Sequence, residues 1–213
     1  MDEYSAMIDN LIERDIRPVV TLHHFSHPIW WEQKGGFTNQ NNIPSFVNYC
    51  SRVFEALSDR VEVWCTINEP TVFSTMGYTL GQFPPGKRSI RLTMKVMKNL
   101  MRAHGTVYHL LKEKRPSARI GVAKNVTLFD PLNRWSPIDW IVARILDYLW
   151  NGAWRKGIMK GKMLGAKIPQ AKNSVDFIGL NYYTHFLTGL FMPTSTEELE
   201  FAKRKHEITT EFG

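Results

Sequence analysis

With 213 residues, 43% hydrophobic and 22% charged, the chain has the composition of a soluble globular protein, without disordered or low-complexity bias. Its formal charge of +7 raises nucleic acid as a partner. The basic residues, however, are spread over Lys87 to Lys98, Lys112 to Arg119, Arg155 to Lys167 and Lys203 to Lys205 and broken by apolar helix faces, so a solvated surface and no nucleic-acid partner are expected.

Residues 3–15 place Met7, Ile8, Leu11 and Ile12 at helical spacing, and Arg17-Pro18 ends that helix. Val19-Val20-Thr21-Leu22 reads as a short buried strand opening into His23-His24-Phe25-Ser26-His27-Pro28. Trp30, Trp31 and Gly35-Gly36 then read as a long loop. Residues 45–58 return to a helical pattern with Phe46, Val47, Cys50, Val53, Phe54 and Leu57. A strand follows over 61–68, where Val61, Val63, Cys65 and Ile67 alternate until Asn68 and Glu69 arrive together and Pro70 ends the ladder.

After Pro70 a turn-rich loop is expected through Gly77-Tyr78 and Gln82 to Gly86. A long helix over 90–114 carries Leu92, Val96, Leu100, Val107, Leu110 and Leu111 on its apolar face. Arg119 to Asn125 reads as a third short strand and 137–156 as an aromatic-rich helix. The Gly- and Lys-rich run to Pro169 reads as loop, and Val175 to Tyr183 as a fourth strand. The remainder is polar and weakly patterned. No stretch is long and apolar enough to cross a membrane, and Met1-Asp2-Glu3-Tyr4 does not read as a signal peptide. Cys50 and Cys65 fit neither a disulfide framework nor a metal spacing, so a cytoplasmic protein is expected.

Strands alternating with helices imply a parallel sheet with right-handed crossovers. Three of the four strands end in polar groups, namely His24, Asn68 with Glu69, and Asn181 with Tyr183. Polarity gathered at one end of a parallel sheet points to a (β/α)8 barrel. A doubly wound sheet is the alternative, but no glycine-rich phosphate loop follows any strand. A buried carboxyl at a strand mouth is costly to desolvate, which makes Glu69 the first candidate for a catalytic residue. A carboxyl, an amide, an imidazole and a phenol with aromatics nearby suit a polyhydroxylated ligand, with Glu69 as a general acid. His23, His24 and His27 follow a strand rather than lying on a helix, so no metal site is expected. No nucleophile-elbow motif supports a Ser-His arrangement.

Thr-Leu-His-His-Phe-Ser-His-Pro, Lys-Gly-Gly-Phe, Trp-Cys-Thr-Ile-Asn-Glu-Pro and Asp-Phe-Ile-Gly-Leu-Asn-Tyr-Tyr-Thr occur in this order. Together they resemble glycoside hydrolase family 1, the β-glucosidase family. The resemblance implies a retaining β-glucosidase-like enzyme without metal or cofactor, acting on a small-molecule β-glycoside. It implies that Glu69 is the acid/base, that Asn68 holds the sugar 2-hydroxyl, that His24 binds the sugar and that Tyr183 hydrogen-bonds the nucleophile. Phe25 departs from the tryptophan most common at its place. The chain then covers about strands three to six of eight, a partial (β/α)8 barrel of about four βα units. That makes 1–213 a single incomplete catalytic domain without its N-terminal and C-terminal parts. Self-association through open barrel edges is expected. Ile208 to Gly213 offers Glu211 as a nucleophile, yet it follows Tyr183 too closely to fit a helix and a strand between. It is more similar to a Thr-Asp/Glu-Met-Gly stretch that precedes the family's nucleophile strand. The rival reading is a non-catalytic, sugar-binding half barrel.

Overall fold

The computed structural model describes residues 1–190. In chain order the main elements are α1 (Asp2–Glu13), β1 (Val19–Thr21), α2 (Ile29–Gln33), α3 (Ile43–Leu57), β2 (Val63–Asn68), α4 (Pro70–Thr75), α5 (Ile90–Lys114), β3 (Arg119–Pro131), α6 (Pro137–Asp147), α7 (Ala153–Lys160), β4 (Lys162–Met163), β5 (Ala166–Lys167) and β6 (Phe177–Thr188). They fall into two compact units. Met1–Lys124 with Lys156–Leu180 form the first, and Asn125–Arg155 with the stretch from Asn181 form the second.

The main sheet has the order β1-β2-β3-β6. In the first unit β1 and β2 run parallel, with Val19 opposite Val63 and Thr21 opposite Cys65. β2 and β3 are also parallel, Val63 facing Arg119 and Cys65 facing Gly121. Helices connect these strands, as parallel pairing requires. The register slips between Cys65 and Asn68, and Asn68 faces Ala123. Three steps along β2 therefore match two along β3, a bulge that bends the strand where its polar end begins.

The core lies between the sheet and the helices α3 and α5. β2 is buried from Trp64 through Asn68, and the Trp64 ring meets Phe54 of α3 with centroids 4.8 Å apart. On α5, Val96, Leu100, Val107 and Leu111 form one fully buried stripe, each such side chain contributing about 1.5–3 kcal/mol by burial. Ser89 caps this helix by accepting from the Leu92 N–H. Gly105, in the middle of α5, is required by close approach: a Cβ there would lie 2.4 Å from the Gln170 carbonyl oxygen. Asp176 ties the start of β6 to the core. Its carboxylate accepts from the Ile120 N–H at 2.8 Å, from Lys112 Nζ at 3.1 Å and from the Tyr108 hydroxyl at 3.0 Å.

In the second unit Ser136 caps α6, accepting from the Asp139 N–H. The end of β6 bonds the segment after β3, the Leu132 N–H donating to the Thr188 carbonyl at 2.8 Å. Asn125 Oδ1 accepts from Trp150 Nε1 at 3.1 Å and from the Thr127 hydroxyl at 3.1 Å.

Several expectations are corrected. β1 is not a buried strand: it lies at the sheet edge, and Val19 is 60% exposed. The Trp30-Trp31 region is not all loop, because α2 occupies Ile29–Gln33. Pro70 opens a helix instead of a loop, since a proline at the first helical position loses no hydrogen bond. β3 continues six residues beyond Asn125, to Pro131. The run before Pro169 contains an antiparallel pair, with Lys162 opposite Lys167 around a turn at Leu164-Gly165. Both turn residues take positive φ, the conformation tight hairpins favour.

Candidate active site

The ends of β1 and β2 are laced by backbone bonds to each other and to Ala123 in the middle of β3, at the polar mouth of the first unit. The Asn68 N–H donates to the His23 carbonyl at 2.9 Å, and the Glu69 N–H donates to the Ala123 carbonyl at 2.8 Å. The Glu69 carbonyl then accepts from the Phe73 N–H at 3.0 Å, which starts α4. Glu69 is thus the junction of strand and helix. Its backbone is left-handed (φ 44°, ψ 59°), a conformation that costs a non-glycine residue about 1–3 kcal/mol and concentrates at functional sites. Phe25, just after His24 beyond β1, is also left-handed, with φ 66°. Asn68 and Glu69 are 8% and 7% exposed.

The neighbouring histidines are sorted by environment. His24 is exposed at the mouth, its ring edge-on to Phe25 at 5.1 Å. His23 is 3% exposed and meets Phe37, Phe46 and Phe73 edge-on at 5.2, 6.0 and 5.2 Å. Burial, aided by the neighbouring His27 and His24, pushes its pKa down to about 3 and keeps it neutral. His27 pairs with Glu32, Nε2 to Oε2 at 2.8 Å. Among the described residues no group of three or more His, Cys, Asp or Glu could hold a metal ion.

Beneath the mouth, Thr66 lies within the β2 bulge. Its hydroxyl is 2.7 Å from Nδ1 of the fully buried His104 on α5, and it donates to the Gly121 carbonyl at 3.2 Å. Burial lowers the His104 pKa to about 4, against a hydrogen bond involving the Ser174 backbone. Phe73 stacks on Phe25 at 6.4 Å, and Phe25 meets Phe83 at 5.7 Å. This aromatic wall was not anticipated from the sequence. The available signal was Pro70 as a helix-opening residue, which brings Phe73 one turn along α4. Lys124 is a second unanticipated residue, buried beside Ala123.

The structure therefore brings His24, Asn68 and Glu69 to one mouth of the first unit. Asn181 and Tyr183 belong to the second unit, with Tyr183 on β6 and 63% exposed. Glu211 lies outside the described residues. No helix among the described residues is long and apolar enough to cross a membrane.

The 6-phospho-β-galactosidase of Clostridium acetobutylicum is 32% identical over 209 residues, covering 86% of this chain and 44% of that protein. β-Glucosidase A of Thermotoga maritima is 28% identical over 220 residues, covering 96% and 49%. Among solved structures, the β-glycosidase from Pyrococcus horikoshii superposes with a TM-score of 0.79 at 38% identity, covering 85% of this chain and 42% of that one. A psychrophilic β-glucosidase from Micrococcus antarcticus gives 0.86 at 30% identity, covering 91% and 45%. The chain spans about half the length of the curated relatives it matches, and its parallel sheet with helical crossovers is a partial (β/α)8 barrel. A profile described as glycosyl hydrolase family 1 matches residues 1–165, most of the chain, and the chain belongs to that family.

Proposed function

We propose that this chain is the acid/base-bearing part of a retaining β-glycosidase domain acting on β-linked glucosides or closely related glycosides. The observation that supports this most strongly is Glu69 itself. It is a largely buried carboxyl in a left-handed backbone, anchored to β3 and α4 at the polar mouth of a parallel sheet. In barrels of this kind, chemistry resides at that end.

In the first step Glu69 gives its proton to the glycosidic oxygen as the bond to the anomeric carbon breaks and a second carboxylate attacks that carbon. In the second, the Glu69 carboxylate takes a proton from the water that displaces the enzyme-bound sugar, so the proton is returned. The two carboxyls of a retaining pair sit about 5 Å apart. Glu211 is one candidate for the partner; the other is a carboxylate in the half of the relatives' length that this chain does not span. Asn68 would hold the sugar 2-hydroxyl, His24 a further hydroxyl, and Tyr183 would hydrogen-bond the second carboxylate. The exposed His24 and Tyr183 are open to such contacts.

The test is a chimera in which residues 1–190 replace the matching segment of the Thermotoga maritima β-glucosidase. Aryl β-glucoside hydrolysis with retention of configuration is expected, and a folded chimera without turnover would favour the sugar-binding alternative. Glu211→Ala in the 213-residue chain decides the second carboxylate, because activity lost there would assign that role to Glu211.

A further inference from the structure

A cavity of about 230 Å³ opens between the segment after β1, α2 and the first turns of α3. Its lining comes wholly from residues 22–49, the connection between β1 and β2. Those two strands pair with each other, so the walls belong to one crossover of the sheet and to neither of its ends.

His23 and His27 line this cavity, and both are short of hydrogen bonds. His23 is 3% exposed, and neither of its ring nitrogens has a partner. The ring is neutral, so one nitrogen offers a donor and the other an acceptor. His27 gives Nε2 to the Glu32 carboxylate, which only accepts; the neutral ring then leaves Nδ1 as a further acceptor, also buried and unpartnered. Three such groups beside one cavity are costly unless something in it bonds them.

The other walls narrow the choice of occupant. Trp30, Trp31, Phe46 and Tyr49 supply aromatic rings, and the exposed Ser26 and Ser45 add hydroxyls. No Asp, Glu, Lys or Arg lines the cavity: Glu32 is taken by His27, and Lys34 lies over the Trp30 ring. An uncharged ligand therefore fits. The volume is below the roughly 300–1,000 Å³ of pockets for drug-sized ligands, so that ligand is small. Hydroxyls to meet imidazole nitrogens and C–H faces to meet aromatic rings occur together in sugars.

We infer that this cavity is a second, non-catalytic site for a neutral monosaccharide, bonded through its hydroxyls by His23 and His27. His24 is exposed at the mouth, whereas His23, its neighbour in the chain, lines the cavity. Glu69 plays no part in this site, which does not rest on the role proposed for that residue.

The test is a glucose titration of the 213-residue chain labelled with 15N-histidine, the imidazole nitrogens being read by long-range 15N–1H NMR. His23→Gln and His27→Gln assign the two rings, and circular dichroism checks that every variant folds. Saturable shifts of both rings are expected, and they should persist in Asn68→Ala, which alters the mouth. Ser45→Tyr fills the cavity from an exposed position on α3 and should weaken the apparent affinity at least about tenfold. Rings left unmoved by glucose, as in a cavity that holds only water, would overturn the inference. So would shifts that survive Ser45→Tyr, or shifts lost in Asn68→Ala, which would place the sugar at the mouth alone. Tighter binding of cyclohexanol than of glucose would also overturn it, by making the ligand apolar.

Discussion

The Glu69 N–H reaches the Ala123 carbonyl at 2.8 Å, next to the point where β2 and β3 slip register between Cys65 and Asn68. Regular pairing would send successive side chains to opposite faces of the sheet. The bulge and the left-handed backbone at Glu69 break that alternation, so two polar residues end a strand whose preceding residues are buried. The same residue starts α4 through its carbonyl, which ties its backbone to β2, β3 and α4.

Gly105 offers a test of the packing behind that mouth. Alanine favours a helix interior over glycine by about 1 kcal/mol on an exposed face. At Gly105 the new Cβ would lie 2.4 Å from a backbone oxygen, which cannot rotate away. Gly105→Ala is therefore expected to destabilise the chain by about 1–3 kcal/mol through forced displacement of the Gln170 segment. Urea titration reads this directly, and a stabilised variant would contradict the packing described.

The helices were the most legible part of the sequence. The 3.6-residue spacing on α5 marks Val96, Leu100, Val107 and Leu111 without any knowledge of what they touch. What the sequence concealed depends on neighbours or on register. Val19 is apolar and β-branched like any buried strand residue, and only the sheet order makes it an edge. The β2 bulge is defined relative to β3. Lys124 and Asn125 look like a strand end, although β3 continues past them. Of the candidate site, His24, Asn68 and Glu69 were legible as polar groups at strand mouths, whereas Phe73 was lost by reading Pro70 only as a breaker.

Buried neutral histidines give the fold a pH dependence. His23 must remain uncharged in the native state, with its pKa pushed from 6.5 to about 3, and His104 similarly to about 4. The unfolded chain binds these protons more readily, so stability falls as pH drops below 6.5 and continues to fall toward those lowered values. Each histidine contributes a slope of about 1.4 kcal/mol per pH unit in that window. His23→Phe should remove one such contribution, leaving a visibly flatter plot of unfolding free energy between pH 6 and 5. An unchanged slope would show that His23 is not the titrating group.

Asp176 adds to the same loss of stability in acid, at lower pH. Burial alone would raise its pKa, but hydrogen bonds from the Ile120 N–H, Lys112 and Tyr108 outweigh that and hold it below the usual carboxylate range. A depressed carboxylate adds stability above its unfolded pKa and loses it as pH falls through the folded one. Asp176→Asn retains the shape while removing the charge from these three donors. A loss of about 1–2 kcal/mol at pH 7 is expected, shrinking toward zero in acid. A loss of equal size at pH 7 and pH 3 would refute the electrostatic account.

The most direct test of the central claim is Glu69→Gln in the active chimera, assayed with aryl β-glucosides of good and poor leaving groups, with and without azide. As acid/base, Glu69 protonates the departing oxygen, so turnover of poor leaving groups should fall by about 10²–10⁴-fold. Activated substrates should be partly rescued by azide, which attacks the glycosyl-enzyme without needing a base, to give a β-glycosyl azide. Equal rates for wild type and Glu69→Gln on both substrate classes, with no azide product, would contradict the assignment.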